Sequence, residues 1–228
     1  KNGKINFSNK YNFKKINLNF DFKENILNFQ DIDFRTNKID FFSKKLKVTQ
    51  NKKNFIFVGI IENKKTILNN NILNLIKSNF QNLNFRNISF NSKNNFSFKI
   101  DEKYKFKDLI ITSEIQVDEL KYVKPDLFKD YFADVEDIIH LKDHKIEAKY
   151  KENNFTIGGL GKIKLHNRLN EIEYLITNKN NNLNIISNLS LIELNIKNLK
   201  FLKIFFPELN KTINLKDNKV KINYNKKN

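Results

Sequence analysis

The sequence predicts a mainly β chain: an elongated antiparallel β-meander curled into a groove, with a few short helices. Three observations predict it. Apolar side chains recur at every second position over most of the length. The intervals between these runs are rich in Asn, Lys and Asp, residues that tolerate turn geometry. Hydrophobic residues make up 39%, with 22 Phe, while Gly (5) and Pro (2) are scarce, so a loop-rich or collagen-like chain is excluded.

The elements follow in order. Ile16, Leu18, Phe20 and Phe22 alternate with Asn17, Asn19 and Asp21. Then come Leu27 with Phe29, Ile32 with Phe34, Ile39 with Phe41, and Leu46 with Val48. Phe55, Phe57 and Ile61 follow, with Gly59 in the same phase. Alternation of this kind places one set of side chains on one face of a sheet and the polar set on the other. Asn51-Lys52-Lys53-Asn54, Asn63-Lys64-Lys65 and Lys93-Asn94-Asn95 read as hairpin turns. Helical spacing is expected over 69–80 (Ile72, Leu73, Leu75, Ile76, Phe80) and over 125–139, which opens on Pro125-Asp126. A third short helix is expected over 199–206, stopped by Pro207.

The second half repeats. A shift of 74 lays 109–154 on 183–228 without a gap. Leu109, Ile111 and Ser113 meet Leu183, Ile185 and Ser187. Leu141-Lys142-Asp143-x-Lys145 meets Leu215-Lys216-Asp217-x-Lys219, and Tyr150 meets Tyr224. The chain is therefore divided into a meander over 1–104 and two tandem related units over 105–228 (109–182, and 183–228 incomplete) that continue the same sheet. Stacked units extend each other's apolar face. That face is either covered by a second sheet or left as a trough.

The formal charge is +17. Lys, Asn, Ile and Phe are over-used together while Ala and Arg are scarce, which is the imprint of AT-rich coding, and the Lys residues are scattered rather than clustered. A nucleic-acid partner is not the expected one. With no Cys, disulfides and Cys-based metal sites are excluded. The chain has no Met, even at position 1, so it is expected to begin inside a longer protein.

No pattern calls for catalysis. His140 and His144, four apart, would share one face of a helix, but a turn-capping role at the exit of the expected helix is read in preference to metal binding. His166 is isolated and gets no role. Gly158-Gly159-Leu160-Gly161-Lys162 lacks the spacing and Ser/Thr of a phosphate loop and lies inside an alternating run, so a bend or bulge is expected. Asp134, Glu136 and Asp137 read as a solvated helix face. The chain is expected to be no enzyme and to hold no cofactor and no metal.

The tandem unit resembles the AsmA-like family of bacterial envelope proteins (the TamB and YhdP type). The resemblance rests on the alternating strand from Leu109 to Val117, the segment with Phe132, the Ile-x-Leu-Lys-Asp-x-Lys run into a strand ending at Tyr150, then Phe155-Thr156-Ile157-Gly158-Gly159-Leu160-Gly161 and Ile172-x-Tyr174-x-Ile176. It is clearest over 105–228. It implies a β-groove that holds phospholipid acyl chains between inner and outer membranes, in the periplasm, anchored to the inner membrane by a segment outside this chain. Other segments of the same longer chain, and envelope membrane proteins, are the further partners it implies. The candidate groove lining is Leu109, Ile111, Ile115, Val117, Ile146, Tyr150, Phe155, Ile157, Ile163, Leu183, Ile185, Leu189, Val220 and Ile222. The alternatives are a structural or adhesive β-sandwich or solenoid with a closed core, and a basic nucleic-acid- or ribosome-associated protein.

Overall fold

The computed structural model describes residues 3–7, 11–36, 39–51, 53–68, 85–123, 136, 138–165, 167–196, 203–208 and 213–226. The described residues form one sheet of 12 strands in sequence order, β1 to β12, each antiparallel to the next. The strands are β1 (Gly3–Phe7), β2 (Tyr11–Lys23), β3 (Ile26–Thr36), β4 (Ile39–Asn51), β5 (Asn54–Leu68) and β6 (Phe85–Asp101), followed by β7 (Phe106–Val123), β8 (Ile138–Lys151), β9 (Asn154–Leu165), β10 (Arg168–Lys179), β11 (Asn182–Ile196) and β12 (Ile213–Lys226). The sheet is curled and unclosed. Its substantial strand contacts are all between sequence neighbours, so among the described residues no second sheet faces it, as a sandwich would require.

Local chemistry explains the meander. Glu24-Asn25, Glu152-Asn153 and Asn180-Asn181 each place two consecutive residues at positive φ, the two-residue hairpin turn whose twist matches that of the strands. Between β6 and β7 the Asp101 carboxylate accepts the backbone N–H groups of Lys103 (3.0 Å) and Lys105 (2.9 Å), closing a longer turn. These turns lie along one edge of the sheet. The chain leaves β5, β7 and β11 at the opposite edge.

Two of the expected turns lie inside strands. Asn63-Lys64-Lys65 is a bulge in β5, where the pairing with β6 shifts between Asn63 and Thr66. Lys93-Asn94-Asn95 sits in the regular middle of β6, paired with β5 and β7. Bulges also account for apolar phases that change parity. Leu27 and Phe29 belong to the same strand as Ile32 and Phe34, because Asp31 at φ 50° takes up the extra residue. The helix expected over 69–80 lies outside the described residues, as does most of 125–139. The end of the latter is corrected: Ile138 and Ile139 open β8. Of 199–206 the described residues are 203–206: Lys203 is helical and a turn follows it, with Ile204, Phe205 and Phe206 exposed.

The pairing of β7 with β8 recurs in β11 with β12 at the offset of the sequence repeat. Ile111 faces Tyr150 and Ile185 faces Tyr224; Ile115 faces Ile146 and Leu189 faces Val220. Asp143 and Asp217, equivalent under the shift, stand at φ 53° and 48°.

Candidate functional site

The register assembles one apolar face from all the strands whose side chains are described. Paired residues of adjacent strands share a face, so rows can be followed across the sheet. One row runs Leu46, Gly59, Phe96, Ile111, Tyr150, Phe155. The next runs Ile61, Asn94, Ser113, Ala148, Ile157, Ile176, Ile185, Tyr224. A third runs Asn63, Ser92, Ile115, Ile146, Gly159, Tyr174, Ser187, Ile222.

All the candidate lining residues lie on this face. Leu109 precedes Ile111 in the same phase, Val117 follows Ile115, and Leu189 pairs with Ile172 and Val220. Ile163 pairs with Leu141 and Asn170, and Leu183 with Asn178. Val117 is buried; most of the others are half-buried, while Ile222 on the last strand is 50% exposed. Side chains meet across an intervening strand at one edge: Leu165 of β9 and Leu191 of β11 pack together, with Ile163, Leu189 and Val220 around them. Ile39 of β4 and Leu68 of adjacent β5 form a second cluster, with Phe41, Ile88 and Phe90 packed against it. At the other edge Phe98 stacks on Phe57 and on Phe106, each at 4.6 Å between ring centroids.

The face also carries a polar seam that alternation alone does not show. Ser43, Asn63, Ser92, Ser113, His144, Asn170 and Ser187 are buried along it. Asn94 Nδ2 donates to Ser92 Oγ (2.9 Å) and to the Ile61 carbonyl (3.1 Å), and Ser92 Oγ donates to Asn63 Oδ1 (2.5 Å). Asn170, 0% exposed, accepts the Ile192 N–H at Oδ1 (2.8 Å) and donates from Nδ2 to the Arg168 carbonyl (3.1 Å). For Asn63, Ser92 and Asn170 these bonds offset the cost of burying polar groups among aliphatic ones, whereas the buried Ser43 hydroxyl has no partner among the described residues.

His144 corrects the sequence reading most directly. It is in a strand, 2% exposed, not at a turn. Its Nε2 donates to the Lys162 carbonyl (3.1 Å), leaving Nδ1 to accept from the Tyr174 hydroxyl (3.3 Å). Burial pushes its pKa below the usual imidazole value, and burial raises that of Tyr174. The bulge at Asp143 puts His140 on the opposite face, where its Nδ1 is 3.6 Å from Glu119 Oε1. The glycine run is not a bulge of its own strand: the shift lies in β8 between Lys142 and Lys145. Gly159 and Gly161 instead leave room for rings. A Cβ on Gly159 would collide with the Tyr174 ring, and one on Gly161 would stand 2.5 Å from the His144 ring.

The opposite face is charged, and cross-strand ion pairs occupy part of it: Lys65 with Asp118 (2.7 Å), Lys99 with Asp108 (2.8 Å) and Lys107 with Asp101 (2.8 Å). Lys65, Lys99 and Lys107 hold the carboxyls of Asp118, Asp108 and Asp101 below the usual carboxylate range. A concavity of about 870 Å³ crosses β5 to β10. Its lining takes in Ile115, Ile146 and Tyr174 of the apolar face, but also Glu114, Lys145 and Glu147 of the charged one, so it is not a purely apolar channel. Of the expected acidic cluster, Glu136 is described, exposed and 3.8 Å from Lys164; Asp134, Asp137 and His166 lie outside the described residues.

Among the described residues, no three His, Asp or Glu come together as a metal site would need, and no helix is long and apolar enough to cross a membrane. Comparison with protein-family models, curated proteins and solved structures gave no match.

Proposed function

We propose that this chain is a segment of a bridge-like phospholipid-transport protein, holding acyl chains on the apolar face of its curled sheet between the inner and outer membranes. In this reading the protein works in the periplasm, tethered to the inner membrane by a segment outside this chain. The observation that carries it is the uncovered apolar face. Rows of Ile, Leu, Val and Phe cross the sheet from strand to strand, and no second layer among the described residues faces them.

An apolar surface of this extent is unfavourable in water unless something covers it. An acyl chain gains roughly 0.8 kcal/mol per methylene buried, and a row that continues over many strands accommodates a long chain without any specific polar contact. The resemblance of 105–228 to AsmA-like envelope proteins supports the same reading.

The test is lipid capture. Photo-crosslinking residues placed at Ile111, Ile157 and Ile185 are expected to label phospholipid in cells, while the same residue at Thr112 and Lys149 on the charged face labels none. Labelling confined to Thr112 and Lys149, or chain purified lipid-free after crosslinking at all the apolar positions, overturns the proposal.

A further inference from the structure

The outer edge of β12 is built as an interior strand. Its register against β11 reproduces that of β8 against β7, and β8 is interior, with β9 on its far side. The likeness extends to backbone that is unusual in a strand. Asp143 in β8 and Asp217 in β12 both take up a residue at positive φ. In β8 the bulge has a reason on its far side: it shifts the pairing with β9 between Lys142 and Lys145, turns His144 toward the apolar face, and sets that ring over Gly161. In β12 the same bulge stands with no described strand beyond it. Asn218, at the place of His144, turns its Nδ2 back to the Lys216 carbonyl (2.6 Å), whereas His144 reaches across to a carbonyl of the next strand. Ile222 and Tyr224, at the places of Ala148 and Tyr150, are half exposed.

We infer that the free edge of β12 is a strand-docking site, and that its occupant is an antiparallel strand of the β9 type from this same repeat unit. Such a strand carries an apolar residue opposite Ile222 and Tyr224. The register is fixed by the repeat. Where Tyr150 faces Phe155, Tyr224 faces that same position; where Ala148 faces Ile157, so does Ile222; where Ile146 faces Gly159, so does Val220. Lys219, which would discourage indiscriminate pairing at an edge, does not block this partner, since Lys145 stands at the same place in interior β8; Lys221 stands at the place of Glu147, on the side of β8 that also carries Lys149. The inference does not depend on what the apolar face carries.

The chain has no Cys, so disulfide trapping reads the register without background. The probe is a synthetic peptide of residues 154–165 added to the whole chain. With Ile222→Cys in the chain, a peptide carrying Ile157→Cys is expected to crosslink about tenfold faster than peptides carrying Phe155→Cys or Gly159→Cys, because a disulfide forms only where the Cα atoms lie within about 7 Å. Equal rates in all registers, no crosslink in the matched one, or occupation of the edge by a second copy of the whole chain would each overturn the assignment.

Discussion

The imidazole of His144 lies against the bare backbone of Gly161 on the neighbouring strand, so closely that a methyl group there would stand 2.5 Å from the ring. The two positions are complementary: a bulge at Asp143 turns the histidine toward the apolar face, and the missing side chain across from it leaves the space. Tyr174 fits over Gly159 in the same way. Gly158 differs, with only a Leu175 methyl 4.0 Å away.

Gly161→Ala is therefore expected to lower stability by about 1–3 kcal/mol, the usual cost of overpacking, while Gly158→Ala is nearly neutral. Chemical denaturation of both variants decides the point. In the double variant Gly161→Ala/His144→Ala most of the clash is relieved, so the two changes are expected to be non-additive. Additive losses would show that the ring and the glycine do not interact.

The protein is expected to lose stability as pH falls below about 6.5. His144 is held neutral by burial, so its folded pKa lies below the unfolded one. The unfolded chain then binds more protons, and stability rises with pH between the two values. The contribution is fully present above the unfolded pKa. The carboxylates of Asp40, Asp101, Asp108 and Asp118 are also shifted downward, by hydrogen bonds from Arg35, Lys107, Lys99 and Lys65, so what they contribute is lost only in stronger acid. Urea titrations from pH 5 to 8 should show the slope in the native chain and a smaller one in His144→Asn, the residue its repeat counterpart carries.

Asn170 is the most enclosed polar side chain on the apolar face. Asn170→Ala leaves the Ile192 N–H without its acceptor, and a loss of about 1–3 kcal/mol is expected. Amide exchange at Ile192 should accelerate more than at its neighbours in β11. Unchanged exchange there would mean that another acceptor replaces the amide.

Phe98 stands between Phe57 and Phe106. Phe98→Ala is expected to cost about 2–4 kcal/mol, somewhat less than full burial would give, because the rings are only partly covered. Phe98→Leu should recover about half. Thermal unfolding of the two variants checks the order.

Much of this architecture is legible in the alternation. Leu109 to Val117 names its own face, and the 74-residue shift places Ile185 beside Tyr224 as Ile111 stands beside Tyr150. Lys93-Asn94-Asn95 misleads because Asn serves equally in turns and in buried seams; its role is decided by Ser92 and the Ile61 carbonyl, which no local window contains. His144 misleads for a related reason. Four residues from His140, it would share a face with it on a helix and also on a regular strand, and only the bulge at Asp143 separates them.

By itself, the sequence determined which side chains share a face, because a period of two is a property of the extended backbone and needs no partner. Only the tertiary structure decided that the long strands run through their bulges, that Gly159 and Gly161 make room for rings, and that the described strands form a single unclosed sheet. Those outcomes depend on the register between strands, which is set by contacts between residues far apart in the chain.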